Sequence, residues 1–384
     1  MLTTITALPL LGANQALALT YSGFGYQMRL AAPLTVLNYL RIASNHGILV
    51  KDGRALEKLS EVDTIIFDKT GTLTEKIPQV ERIKACHGFT ESQLLQYAVT
   101  ASLRQKHPIA QAICQAAEQQ NIPSFSIENS DYEVGYGIRV SFVDSEAGSE
   151  IKTVLLGSKR FMESAKINIP NQIKSLQIQS VEKGHSLVYI ALENQQLMGI
   201  IELRPSLRKN ANEVVTALRQ QGMTLYMISG DQQKPTQLLA ETLGIENYYA
   251  ETLPEDKAKI VENLQKQGRR VCFIGDGIND AVALKKADVA ISLHGAATIA
   301  TDTAEIVLMK PDLSYLPYLY KMAKDLNNRI NTSTTLNMAS GIICVTGVVI
   351  FGMGVNGAVF LYYSTLAINL ANTKVPLRHW FSSM

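Results

Sequence analysis

The sequence predicts an α/β fold: a doubly wound parallel sheet, interrupted by an inserted α+β domain and joined to transmembrane helices. Three observations carry this expectation. Short apolar runs alternate with helical patterns across residues 64–292, and such alternation builds parallel sheets covered by helices. Residues 77–202 interrupt the alternation with strand and helix signals of their own. Residues 1–28 and 331–373 contain no Asp, Glu, Lys or Arg.

The first sheet strand is 64–67, where Ile65, Ile66 and Phe67 form a continuous apolar run. Such a run suits a strand buried on both faces. Further strands are expected at 224–228, 271–274 and 289–292, separated by helical patterns at 207–221, 234–243, 254–267 and 281–286. Three of these strands run into a loop bearing Asp: Asp68, Asp231 after Ser229-Gly230, and Asp276 after Gly275. An Asp there is an ordinary helix cap. It is also what a ligand meets, because open α/β sheets hold ligands beyond the carboxyl ends of their strands. Three on one edge exceed what capping requires. The inserted domain shows strand patterns at 132–143, 153–156, 186–192 and 196–203. Its helix beginning at Pro108 places proline in a favoured first-turn position.

The expected organisation is a transmembrane helix region at 1–45, the sheet domain in two parts at 46–76 and 203–325, the inserted domain at 77–202, and two transmembrane helices at 331–373. A span needs about 20 apolar residues. The second uncharged stretch holds two spans with a turn within 352–357, and the first holds one. The Thr, Asn, Gln and Tyr content of the first stretch suits a helix lining a bundle. It lacks the basic n-region of a signal peptide. Arg41, Lys51, Lys321, Lys324, Arg329, Lys374 and Arg378 flank these stretches. The positive-inside rule then puts the middle of the chain in the cytoplasm. A net charge of +2 over 384 residues gives no field for nucleic acid. Cys86, Cys114, Cys272 and Cys344 form no CxxC pair, which fits a reduced compartment without a cysteine metal module.

The chemistry concentrates in a few motifs. Asp68-Lys69-Thr70-Gly71-Thr72-Leu73-Thr74 places a carboxylate beside a cation, hydroxyls and flexible backbone. That set can hold a phosphoryl group while the carboxylate attacks it. Gly275-Asp276-Gly277-Ile278-Asn279-Asp280 offers hard oxygens suited to Mg²⁺, or else a tight turn with a capping Asp. Ser229 can offer its hydroxyl to a phosphate. Lys257 is either a solvated helix residue or a cation for developing phosphoryl charge. In the insert, His107-Pro108 and Gly135-Tyr136-Gly137 stand out. The glycines mark a bulge or a close ligand approach within the 132–143 strand. Arg29 borders the first uncharged stretch. An intramembrane Arg is a functional candidate, unless it snorkels to the surface.

Together these motifs resemble the P-type ATPases, in their heavy-metal-transporting branch. The segment Gly47-Ile48-Leu49-Val50-Lys51-Asp52-Gly53, leading into Ala55-Leu56-Glu57, also resembles that branch. The resemblance implies a haloacid dehalogenase-like phosphorylation domain with an inserted nucleotide-binding domain, catalytic parts in the cytoplasm and a multi-pass membrane anchor. It implies that Asp68 takes the γ-phosphoryl of ATP. Mg²⁺ is held by Asp68, Asp276 and the Thr70 carbonyl, with Asp280 a further candidate ligand. By that resemblance Thr72, Ser229, Lys257 and Asn279 contact the phosphoryl oxygens, Lys69 is a further catalytic candidate, and Asp231 supports the Mg²⁺–ATP end. His107, Gly135 and Gly137 bind the adenine side. The implied partners are ATP, a transported cation and the lipid bilayer.

The sequence departs from the family in three places. The Thr-Gly-Glu loop of the dephosphorylating actuator domain does not occur. The expectation is a C-terminal fragment, a separate chain supplying the actuator, or a degenerate gene. The Cys-Pro-Cys position falls on Phe24-Gly25-Tyr26, so the thiolates that select soft metals are absent. Tyr26, Met28, Arg29, Asn337, Ser364 and Asn369 are the candidate ion-pathway residues, and Arg29 is expected to repel a cation or act as an internal counter-ion. Ser102 and Lys106 stand where acidic residues precede the His-Pro pair. Two other classes remain open: a haloacid dehalogenase-type phosphatase, and a membrane regulator that binds nucleotide without completing a cycle.

Overall fold

The computed structural model describes residues 11–23, 25–86, 88–105, 107–133, 137–144, 150–193, 196–275, 280–293, 302–310 and 312–374. Two compact units divide the chain: Met1–Ile66 with Thr216–Thr224 and Lys257–Met384, and Phe67–Val215 with Leu225–Asp256.

Strands are numbered along the chain. One seven-stranded sheet contains β1 (Ile48–Val50), β2 (Thr64–Asp68), β9 (Thr224–Ile228), β10 (Asn247–Tyr249), β11 (Val271–Gly275), β12 (Val289–Leu293) and β13 (Ile306–Leu308). Their order is β1-β13-β12-β11-β2-β9-β10. The pairs β9–β10, β11–β12 and β12–β13 are parallel, and the edge strand β1 runs antiparallel to its neighbour β13. Every residue of β2, β11 and β12 is buried. This is why their sequences read as unbroken apolar runs rather than alternating ones.

The second sheet is antiparallel, in the order β3-β8-β7-β6-β5-β4. It comprises β3 (Gln79–Ala85), β4 (Ser126–Glu133), β5 (Gly137–Asp144), β6 (Glu150–Gly157), β7 (Ser186–Leu192) and β8 (Leu197–Arg204). Helices Glu91–Ser102 and Pro108–Gln119 cover one face, where Leu94, Ile113 and Phe142 pack with Val188, Ile190 and Leu192. Tyr189 and Ala191 turn to the other face and pack with Phe161 and Ile173. The period of two along β7 thus feeds two cores. A capping box between Thr90 and Gln93 starts the first helix.

The 132–143 pattern, expected as one strand, is a hairpin. β4 and β5 pair antiparallel with Glu133 opposite Gly137. In the sequence Tyr132, Val134, Tyr136, Ile138, Val140 and Phe142 alternate without a break, so periodicity alone did not mark the division. Gly137 opens β5, and a Cβ there would lie 2.5 Å from both the Leu156 carbonyl and a Phe161 ring carbon. Glycine is needed by the packing itself.

Glu202 on β8 is buried in this sheet. It accepts hydrogen bonds from Ser180 at 2.7 Å and from the Arg82 guanidinium at 2.6 and 2.9 Å, and lies 2.9 Å from His185 Nδ1. Burial alone would raise its pKa, but these partners outweigh burial and bring the carboxyl down from 4.5 to about 2. A folded pKa below the unfolded one gives stability that is complete above the unfolded value and is lost as pH falls towards the folded one. We expect this unit to lose melting temperature between pH 4.5 and about 2. Glu202→Gln should melt lower at neutral pH and flatten that acid limb. An unchanged limb would refute the assignment.

In the other unit, helices Met28–Asn45, Tyr315–Phe351 and Val355–Asn372 pack with the short helix Ala13–Ala18. Among the described residues Tyr315–Phe351 is the one helix long and apolar enough to cross a membrane. Its first turns bury Leu316, Leu319 and Tyr320, and the Tyr320 hydroxyl donates to the Val62 carbonyl at 2.6 Å. Farther along, Cys344 and Val348 pack on Ala18 and Ala358. Gly352 ends the helix at φ 65°, a left-handed cap that favours glycine. Asn14 then accepts a hydrogen bond from Val355 N–H at 3.1 Å, which fixes the start of the next helix. Tyr39 donates to Asp325, which also accepts from Arg329 at 2.9 Å, and Arg329 donates in turn to the Asn372 carbonyl at 2.9 Å.

Candidate functional site

Asp68 ends β2 and is 6% exposed. The next residues fold into a tight loop in which Thr74 N–H returns to the Lys69 carbonyl at 3.1 Å. Gly71 sits at φ 76°, where a side chain would be strained. Arg208 clamps this loop: its Nε donates to the Thr72 carbonyl and its Nη2 to the Gly71 carbonyl, both at 2.7 Å. Backbone bonds from Glu75 N–H to the Ser206 carbonyl and from Arg208 N–H to the Leu73 carbonyl complete the attachment. Thr72 is fully buried, and its Oγ1 has no hydrogen-bond partner among the described residues. Such an orphaned hydroxyl is costly unless a ligand satisfies it.

Lys69 is buried and pairs with Asp231, which is half-exposed. Burial pulls the Lys69 ammonium below the usual lysine range, while the neighbouring Asp68 carboxylate pulls it back up. Asp231 N–H donates to Ser229 Oγ at 3.0 Å. Asp68, Lys69, Thr70, Thr72, Ser229 and Asp231 therefore belong to one unit.

Lys257 and Asp280 belong to the other unit. They form a buried ion pair at 2.7 Å. A Cβ on Gly275 would lie 2.7 Å from Asp280 Oδ2, so glycine at the end of β11 makes room for this carboxylate. Lys257, the candidate for phosphate, and Asp280, the candidate for metal, meet in this pair. Asp276 and Asn279 lie outside the described residues.

A cavity of about 270 Å³ in the antiparallel unit is lined by Ser102, Gln105, His107, Gly137, Leu156 and Val188, among others. His107 caps the Pro108–Gln119 helix, with its Nδ1 accepting from Ile109 N–H at 3.2 Å. In a neutral imidazole the proton then sits on Nε2, which is left as a donor. His107 and Gly137 thus share one cavity. Gly135 lies outside the described residues.

Of the candidate ion-pathway residues, Asn337 and Asn369 meet. Asn369 Nδ2 donates to Asn337 Oδ1 at 3.1 Å and to Gln27 Oε1 at 3.1 Å. Arg29 stacks over the exposed Tyr26 ring at 5.4 Å, Met28 is half-buried, and Ser364 lies on a groove with Asn356, Phe360 and Tyr363. Sequence reasoning missed Arg208 and Gln27. The signal for Gln27 was its place in the uncharged first stretch, where a polar amide needs a reason. Arg208 carried no local signal.

The haloacid dehalogenase-like hydrolase model matches residues 62–288, and the chain belongs to that family. Within it, the chain is similar to the catalytic portion of the heavy-metal P-type ATPases. A zinc-exporting P-type ATPase of Mycobacterium marinum is 36% identical over 290 residues, 75% of this chain and 38% of that protein. A manganese-exporting P-type ATPase of Mycobacterium leprae is 35% identical over 75% of this chain and 39% of its own. The chain therefore spans less than half the length of these relatives. The crystal structure of a zinc-transporting PIB-type ATPase in the E2.Pi state superimposes with a TM-score of 0.80 at 28% identity, covering 97% of this chain and 60% of that one.

Proposed function

We propose that this chain transfers the γ-phosphoryl of ATP to Asp68, within an ATP-driven cation transporter whose catalytic parts face the cytoplasm and whose helices cross the membrane several times. The observation that carries the reading is the setting of Asp68: a buried carboxylate at a strand end, a buried lysine beside it, and the orphaned Thr72 hydroxyl in the same loop. An Asp68 oxygen attacks the γ-phosphorus. The new O–P bond forms as the bond to the bridging β–γ oxygen breaks, and ADP leaves with that electron pair. Thr72 and Ser229 donate hydrogen bonds to the transferring oxygens, and Lys69, held by Asp231, lends positive charge. The cavity at His107 and Gly137 takes the base.

Mg²⁺ fits this donor set. Asp68, the Thr70 carbonyl and Asp276 are hard oxygens of the kind that ion takes, with phosphate completing its shell. When bound it neutralises phosphoryl charge. The inserted domain at 77–202 is proposed as the nucleotide-binding part, with the phosphorylation domain at 46–76 and 203–325. The relatives named above are a zinc-exporting and a manganese-exporting P-type ATPase.

The test is incubation of membranes holding the chain with γ-labelled ATP and Mg²⁺, then acid quench. Asp68→Asn is expected to abolish a hydroxylamine-sensitive label present in the native chain. Label that survives the substitution would sink the assignment of Asp68. Hydrolysis of small phosphomonoesters with no preference for ATP would favour the phosphatase.

A further inference from the structure

We infer that the buried Ser292 hydroxyl is a second partner for the Asp280 carboxylate, bonding it when Lys257 lets go to serve a phosphate group. The inference rests on the phosphoryl-transfer reading above and adds a positioning residue to it.

Ser292 stands one residue from the end of β12, in register with Gly275 at the end of β11. It is wholly buried, and its Oγ makes no hydrogen bond among the described residues. Paired residues of neighbouring strands point to the same face of a sheet, and the strands run about 4.8 Å apart. Gly275 shows what covers that face. A Cβ there would lie 2.7 Å from Asp280 Oδ2 and 3.0 Å from Asp280 Cγ. The Asp280 carboxylate therefore sits over Gly275, and the Ser292 side chain projects from the same face one strand away. Asp280 Oδ1 accepts from the Lys257 ammonium at 2.7 Å. Ser292, Lys257 and Asp280 belong to one unit.

A hydroxyl buried without a partner is costly. The other residues of β12 are Val289, Ala290, Ile291 and Leu293, all apolar and all buried. An alanine would fill the place of Ser292 without that cost. The hydroxyl is accounted for if its partner arrives in a second state, and the Asp280 carboxylate is the polar group over its own face. Asp280 precedes the helix Ala281–Lys286 and makes no side-chain capping bond to it, so the carboxylate can turn while that cap stays as it is.

Two positions follow. In one, Lys257 and Asp280 neutralise each other. In the other, a phosphate oxygen has taken the ammonium. The abandoned carboxylate would then be a buried charge without compensation, which is strongly unfavourable. A hydrogen bond from Ser292 Oγ to that carboxylate is charge-assisted, and such bonds are about twice as strong as neutral ones. It lowers the cost of releasing Lys257. Ser292 thus acts through Asp280 and does not itself touch phosphate.

The experiment uses the full chain in lipid nanodiscs, comparing the native protein with Ser292→Ala and Ser292→Cys. Two quantities are read: the rate of Asp68 labelling by γ-labelled ATP, and the rise in melting temperature caused by inorganic phosphate. Ser292→Ala is expected to melt no lower than the native chain, because it removes an unpartnered hydroxyl. It should label at least about tenfold more slowly at saturating ATP, the scale of one charged hydrogen bond, with the half-saturating ATP concentration unchanged. Its phosphate-induced rise should shrink. Ser292→Cys keeps the size with a weaker donor and should fall between. Native labelling and native phosphate response in Ser292→Ala would overturn the role and leave the Asp68 reading standing. A lower melting temperature with unchanged labelling would make Ser292 a packing residue, and a native chain indifferent to phosphate would also overturn the role. A native chain that takes no label, yet responds to phosphate more than Ser292→Ala does, would sink the Asp68 reading and keep the role.

Discussion

Lys257→Ala is expected to cost about 3–5 kcal/mol of folding stability, because it removes the buried ammonium that pairs with a buried carboxylate. Asp280 is 1% exposed and sits 2.7 Å from the Lys257 ammonium. Across 384 residues that cost lowers the melting temperature by about 4–6 °C. The paired change Lys257→Met with Asp280→Leu removes both charges and should recover most of the loss, since apolar replacements of buried ion pairs are often neutral or better. The double variant then separates two roles. A folded double variant that still labels Asp68 would mean that the pair serves packing alone. A folded variant without label would place the pair in the phosphoryl chemistry. A single variant as stable as the native chain would sink the argument altogether.

Arg208→Ala should slow phosphate labelling of Asp68 on the order of 100-fold, the scale expected when a reacting loop is misplaced by about 1 Å. The guanidinium donates two charged hydrogen bonds to the Gly71 and Thr72 carbonyls, each worth about 1.5–3 kcal/mol. Without them the loop that carries Thr72 loses its support while Asp68 keeps its strand. Arg208→Lys preserves charge but not the fork, so it should fall between the two. Rapid-quench labelling of the three proteins at saturating ATP reads the difference. Equal rates in all three would remove Arg208 from the account.

What the sequence disclosed and what it hid divide by distance along the chain. The strand before Asp68, the loop after it and the helix begun by Pro108 are local patterns, and each was legible. Arg208 meets Thr72 across 136 positions, and Asn369 meets Gln27 across 342. No periodicity in a single sequence encodes such pairs. Lys257 and Asp280 stand in separate motifs 23 positions apart, and nothing local in either motif points to the other. The division between β4 and β5 was hidden for a different reason: apolar residues alternate unbroken from Tyr132 to Phe142, so only strand pairing divides the run.

The helix Tyr315–Phe351 runs unbroken from the Tyr320 bond to Val62, past Asn337, to Gly352. Val62 lies just before β2, the strand that ends in Asp68. The helical residues from Tyr320 to Asn337 make a rod of about 25 Å at the usual rise. A rod transmits torque that a jointed connection would dissipate. Any shift of the chain entering β2 therefore reaches the buried amides as rotation or thrust of a single stiff shaft. A glycine pair placed midway along the shaft would let the two ends turn independently.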